Sequence, residues 1–219
     1  MEPNLFSPTN KPPSYYQADR PDMLKYIPQT VKTTLEFGCG FGCFSALLKN
    51  KLHTESWAVE INSTAAKEAA RHLDKVINAD ANQAVQYLPD GYFDCIIFFD
   101  ILEHLVDPYS LLLNIRKKLT QNGIVVASIP NIRYYRVLVR LVVHGEWDYK
   151  VKGVLDETHL RFFTKKSILK MFVTLGYTVR TIEGIHPTHS RTYKIINTLL
   201  LNRLSDAGYR QFAVVAKTI

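Results

Sequence analysis

Leu35-Glu36-Phe37-Gly38-Cys39-Gly40-Phe41-Gly42 is the stretch on which the reading of the fold turns. The apolar run Thr33–Phe37 predicts a strand, and the glycines that follow lead into Phe44–Asn50, which predicts a helix. Glycine tolerates positive φ and lets a ligand approach the backbone, while the helix beyond offers unpaired N–H groups at its N-terminus. The spacing is G-x-G-x-G, and Cys43 stands where the dinucleotide fingerprint G-x-G-x-x-G needs glycine. No phosphate-loop lysine follows, which argues against a triphosphate.

Outward from this turn the chain alternates between strand and helix. Strands are expected at Ser56–Ile61, Lys75–Ala79, Phe93–Phe99 and Ile124–Ile129, with helices at Ser63–Leu73, Asn82–Leu88 and Tyr109–Leu119. FDCIIFF, the Phe93–Phe99 run, is apolar throughout, as a central parallel strand covered on both faces requires. The class is α/β with a doubly wound, mostly parallel sheet. About thirty residues then interrupt the alternation before a helix at Lys165–Leu175, a strand at Tyr177–Glu183, a second insertion and a last strand at Arg210–Thr218. Upstream, residues 1–14 hold four prolines and read as a flexible arm, and Asp19-Arg20-Pro21 favours a helix start within Tyr15–Ile27. The whole, 1–219, reads as one domain with insertions at 131–163 and 184–208.

Two carboxylates sharpen the glycine turn. Glu60 closes the second strand, where an acid can accept both ribose hydroxyls of an adenosine ligand, or serve simply as a solvated strand end. Asp80 follows the third strand, placed to accept from an adenine amino group, to cap the next helix, or both.

On these residues the chain resembles the class I S-adenosylmethionine (SAM)-dependent methyltransferases. LEFGCGFG is similar to their first motif, AVEIN (58–62) to the ribose-binding acid, and NADAN (78–82) to the adenine-contacting segment. FDCIIFFDILEHLVDP (93–108) is similar to the fourth motif and following turn of the subgroup that includes ubiquinone-type methyltransferases. The resemblance implies seven strands in the order 3-2-1-4-5-7-6, the last-formed one antiparallel. It implies that Glu36, Gly38, Gly40 and Gly42 surround the methionine end of SAM, that Glu60 and Ile61 meet ribose and adenine, that Asp80 and Ala81 meet adenine, and that Phe99 and Asp100 lie beside the methionine. The lead-in YYQADRPDMLKYIP (15–28) and the stretch 130–164 also resemble methyltransferases associated with bacterial cell-surface polysaccharide synthesis. That similarity implies O-methylation of a sugar hydroxyl of a glycan or its precursor.

A sulfonium leaves as a neutral thioether, so such an enzyme needs alignment and exclusion of water, and for an alcohol acceptor a base. Acceptor groups belong at the C-terminal edge of the sheet. His159 is the preferred base because imidazole titrates near neutrality, with His104 and Asp100 beside it as further catalytic candidates; either histidine could instead cap or brace a turn. Tyr16, Arg20, Asn131, Arg133, Tyr134 and Arg161 are the candidate acceptor residues, with Arg161 alternatively pairing with Asp156 or Glu157. No ligand cluster for a metal is evident.

The charge balance, 27 Lys+Arg against 20 Asp+Glu, is +7, compatible with an anionic partner, but no basic run points to nucleic acid. Three cysteines (Cys39, Cys43, Cys95) at no metal or disulfide spacing fit a reducing compartment, and no signal sequence precedes them, so a cytoplasmic location is expected. RYYRVLVRLVV (133–143) is basic and apolar, which suits a lid, a homodimer contact or a peripheral contact with the inner face of a membrane. Methylation of a quinone- or phenol-like molecule, of protein nitrogen, and non-catalytic SAM binding are the competing readings.

Overall fold

The computed structural model describes residues 11–17 and 19–218. Of the arm expected over 1–14, residues 1–10 lie outside the described residues, while Lys11 is buried and donates to Asp156 at 3.0 Å.

Seven strands form one sheet: β1 (Thr33–Phe37), β2 (Glu55–Glu60), β3 (Lys75–Asn78), β4 (Phe93–Phe99), β5 (Leu119–Pro130), β6 (Tyr177–Pro187) and β7 (Tyr209–Thr218), in the order β3-β2-β1-β4-β5-β7-β6. The first five pair in parallel, and β7 runs antiparallel between β5 and β6. This is the expected doubly wound, mostly parallel sheet. Its helices are α1 (Cys43–Leu52), α2 (Ser63–Ala69), α3 (Ala81–Ala84), α4 (Pro108–Asn114), α5 (Tyr135–Val139), α6 (Lys165–Thr174) and α7 (Arg191–Leu199).

The alternation along β4 shows why FDCIIFF is apolar throughout. Ile96 and Phe98 point into the core shared with α4 and α6, where Phe37 and Phe98 stack at 4.9 Å. Cys95, Ile97 and Phe99 point to the opposite face, against Phe44 and Leu48 of α1 and Met23 and Ile27 of the N-terminal segment. Burying both faces fixes the strand register, since a slip of one residue would exchange the two sets.

Three expectations about elements need correction. The helix expected within Tyr15–Ile27 is two short 3-10 turns, Pro13–Gln17 and Pro21–Tyr26, separated by Arg20 in the left-handed region at φ 43°. β5 begins at Leu119, ahead of the expected Ile124, and takes in Asn122 and Gly123. The basic apolar stretch after β5 gives only the short α5, followed by a π turn at Arg140–His144. Two isolated bridges, Asn131 with Phe163 and Lys150 with Asp156, pin the long insertion back on itself. No helix among the described residues is long and apolar enough to cross a membrane.

Candidate active site

β1 ends in the glycine turn, and the backbone there needs glycine. Gly38 and Gly40 have φ of +69° and +56°, and a Cβ on Gly40 would stand 2.5 Å from the carbonyl oxygen of Tyr16. That carbonyl accepts from Phe41 N at 2.8 Å, and the Tyr16 and Phe41 rings stack at 5.8 Å. The N-terminal segment thus lies directly over the turn. A cleft of about 340 Å³ opens beside it, at the C-terminal ends of β1, β2 and β4. It is lined by Glu36, Gly38, Gly40, Glu60, Ile61, Asp80, Ala81, Phe99 and Asp100, together with Tyr16 and Arg20. Gly42 is not part of this wall. It precedes α1, and a Cβ there would meet Ala69 and Leu73 of the α2 region, so its smallness serves packing.

Glu60 is buried, and its two oxygens accept from Gly40 N and Asn62 N, each at 2.9 Å. It ties the tip of β2 to the glycine turn and retains lone pairs for further donors. Burial raises its pKa, and those N–H groups pull it back down. Glu36 accepts from Ser45 Oγ at 2.6 Å, and burial pushes its carboxyl up to about 7. Asp80 accepts from Asn82 N and Gln83 N at the start of α3, so it does act as a cap while its side of the cleft stays open. Asp100, itself at φ 55°, binds Arg20 Nη1 at 2.5 Å and accepts from Ser128 Oγ and Gln211 Nε2. Burial raises the Asp100 carboxyl despite the guanidinium beside it.

A second cavity of about 440 Å³ adjoins the first and shares Tyr15, Arg20, Asp100 and His104 with it. Its floor carries Glu103 and His159. The histidine rings meet edge to face at 4.6 Å. His104 Nδ1 contacts Thr158 Oγ1 at 3.0 Å and Thr158 O at 3.2 Å, and His159 Nδ1 contacts Val154 O at 3.1 Å. Burial lowers both imidazoles, that of His104 to about 4 with the His159 ring adding to the effect. Glu103 is 1% exposed, and burial raises its carboxyl well above the usual range, with Asp100 adding to the effect. Although no metal ligand cluster is expected from the sequence, folding gathers Glu103, His104 and His159 so that one ligand atom from each lies within 4.8 Å of the others.

Four acceptor candidates fall elsewhere. Asn131 is fully buried, and its amide donates to the carbonyls of Asp206 and Tyr209. Arg133 forms a two-pronged pair with Asp206. Tyr134 packs with Val137 and Leu155 in a small core of the insertion. Arg161 donates to Val106 O and meets neither Asp156, which Lys11 holds, nor Glu157. The chain leaves β5 toward β7 and away from the clefts, which a position count past the strand cannot show. Conversely, Gln211 and Arg210 reach the second cavity from β7, and Lys152 from the insertion.

The methyltransferase domain model matches residues 10–182, which include the glycine turn, both clefts' acidic groups and His159. The chain belongs to the methyltransferase domain family. Ubiquinone biosynthesis O-methyltransferase of Psychrobacter arcticus is 24% identical over 163 residues, covering 71% of this chain and 62% of that protein. A "Probable S-adenosylmethionine-dependent methyltransferase" of Mycobacterium tuberculosis is 30% identical over 102 residues, 47% of this chain and 37% of that protein. The chain therefore spans under two thirds of the length of these relatives. Among solved structures, a SAM-dependent methyltransferase from Archaeoglobus fulgidus superposes with a TM-score of 0.66 at 24% identity, covering 94% of this chain and 95% of that one. A second, from Aquifex aeolicus, gives 0.60 at 15% identity, covering 95% and 99%.

As a class I methyltransferase the chain takes SAM as its cofactor. The cleft fits that group chemically. SAM brings a sulfonium cation, an ammonium and ribose hydroxyl donors, and the cleft offers the carboxylates of Glu36, Glu60, Asp80 and Asp100. Gly38 and Gly40 border the cleft, and their lack of a Cβ lets the turn lie close against Ile101 and the Tyr16 backbone.

Proposed function

We propose that this methyltransferase transfers the SAM methyl group to a hydroxyl oxygen of a polyhydroxylated acceptor, a sugar of a cell-surface glycan or of its precursor, on the cytoplasmic side. The observation that carries this reading is the second cavity. It opens onto the cofactor cleft through Asp100 and His104, and its wall is rich in charged and amide groups, Asp19, Asp22, Lys152, His186, Arg210 and Gln211 among them. Such a wall suits hydroxyl-rich molecules, whose polar groups need partners when buried.

SAM supplies an activated methyl whose sulfur leaves neutral. The chain's own residues do the rest. Glu60 and Asp80 hold the adenosine part, and Glu36 faces the cationic end. Arg20, fixed by Asp100 and Ser128, closes one side of both cavities and limits water. His104 lines both cavities, so the cluster of His104, His159 and Glu103 stands where the acceptor oxygen bonds to carbon, its proton leaves to solvent and the carbon–sulfur bond breaks. His159 enters as one member of this cluster, because its Nε2 lies 3.8 Å from Glu103 Oε1.

A quinol acceptor is the second reading, favoured by the names of the ubiquinone O-methyltransferase relatives. Exposed apolar side chains at Val142, Val143, Leu199 and Leu201 would serve a lipid-linked acceptor of either kind at a membrane, or a second copy of the chain. The deciding experiment incubates the protein with methyl-labelled SAM and a panel of sugar nucleotides, lipid-linked sugars and dihydroxybenzoate-type phenols. Label in the sugars is the expected result. Label only in the phenols replaces the acceptor, and SAM binding by calorimetry with no label transferred leaves only a binding module.

A further inference from the structure

Glu103 is a buried carboxylate for which neither oxygen has a hydrogen-bond partner among the described residues. Leaving such a group unpartnered costs on the order of several kcal/mol. Around it the fold has built an orderly shell. The carbonyl of Val154 can only accept, so His159 Nδ1 donates and the lone pair sits on Nε2, the atom that faces Glu103. His104 Nδ1 donates in the same way. Thr158 O accepts from its Nδ1, and the Thr158 hydroxyl gives its own proton to Asp156 at 2.7 Å and so accepts from Nδ1 as well. Asp156 is anchored in turn by Lys11. Two imidazoles whose Nδ1 atoms are pinned by backbone carbonyls, that of His159 with its Nε2 lone pair turned toward an orphaned carboxylate and that of His104 within 4.8 Å of both, have the outer shell of a metal site.

We propose that Glu103, His104 and His159 hold a divalent transition-metal ion whose open coordination positions face the acceptor cavity. Two imidazole nitrogens and one carboxylate oxygen suit Zn2+, Mn2+ or Fe2+ better than Ca2+. The ligand atoms lie within 4.8 Å of one another, and around an ion with bonds of about 2.1 Å they would close to roughly 3.0–3.5 Å. Rotation of the Glu103 side chain, whose oxygens no hydrogen bond holds, would supply that contraction. All three residues border the second cavity, so the positions left open lie where an acceptor oxygen would enter. An ion there would bind the acceptor hydroxyl and make its proton easier to remove; the proton passes to solvent, the oxygen takes the methyl, and the sulfur keeps the bonding pair. The ion site stands on the side chains alone, whereas its part in transfer rests on the acceptor reading given above.

The test uses the full chain after treatment with a chelator. Mn2+ binding is followed by loss of the free-ion electron paramagnetic resonance signal, and Zn2+ binding by calorimetry. One ion per chain is expected, with affinity lowered tenfold or more in Glu103→Gln and in His159→Gln, while calorimetry shows that both variants still bind SAM and are therefore folded. Failure of both ions to bind at millimolar concentration overturns the proposal, as does equal binding by the wild type and Glu103→Gln. Metal binding without methyl transfer to any sugar keeps the ion site and removes the acceptor reading. Transfer to sugars by a chelated protein that binds no ion does the reverse.

Discussion

Glu36 shows how one residue couples the core to the ligand. It lies on the α1 face of β1, with Ser45 Oγ as its hydrogen-bond donor, and burial sets its carboxyl near 7. A cationic ligand beside it favours the ionised form, so binding below that value must expel a proton. SAM affinity should rise about tenfold between roughly pH 6 and pH 8 and then level off, and Glu36→Gln should flatten the profile; calorimetry across pH checks this. The ligand-free protein shows the opposite trend. With the folded value above the unfolded one, the folded state keeps a proton that the unfolded chain has shed. Stability is therefore fully present below about 4.5 and falls as pH rises toward about 7, by up to roughly 3 kcal/mol, which urea melts at several pH values can read. At this scale the sequence shows which residues edge the cofactor cleft, because strand ends and glycines announce themselves by spacing. It does not show the cluster of Glu103, His104 and His159. His159 sits far along the chain from its partners, and only the return of the long insertion brings it to them.

Among the elements, those around the glycine turn carry the clearest consequences. Gly40→Ala places a methyl within 2.5 Å of the Tyr16 carbonyl oxygen and forces φ +56° on a residue that resists it. The expected outcome is displacement of the N-terminal segment from the turn and a loss of SAM affinity of at least tenfold by calorimetry; unchanged affinity would mean that the segment plays no part in closing the cleft. Asp80→Ala should cost about 1 kcal/mol of folding stability through loss of the α3 cap, seen as a shift of the urea midpoint. Strands read from apolar runs hold well, and β4 spans Phe93–Phe99 as expected. Helices are less legible. α2 ends at Ala69, short of the expected Leu73, and α5 gives way to a π turn after Val139. No glycine or proline directly follows Ala69 or Val139, so nothing local in the sequence announces either end.

Across the whole molecule, the N-terminal segment joins parts that the sheet alone would leave separate. Lys11 pairs with Asp156 in the insertion, Tyr16 stacks on Phe41, and Arg20 binds Asp100 at the end of β4. Lys11→Ala strips a buried carboxylate of its cation and should destabilise the protein by about 2–4 kcal/mol in a urea melt, with Lys11→Arg recovering part of the loss. The sheet order was legible only through the resemblance of motifs to a family, since composition and periodicity give strands without their neighbours. Gln211, which reaches Asp100 from β7, is the cost of that blindness: nothing local marks it as part of the site.

The acidic rim of the cofactor cleft also decides which adenosine compounds are turned away. ATP or NAD offers the same base and sugar as SAM, but trails phosphates where SAM trails a positive sulfur. Those phosphates would face Glu36 and Asp100, with Arg20 already committed to Asp100. Each close like-charge contact costs about 4 kcal/mol at an effective dielectric of about 20, so a few suffice to make the cleft a filter for the sign of charge.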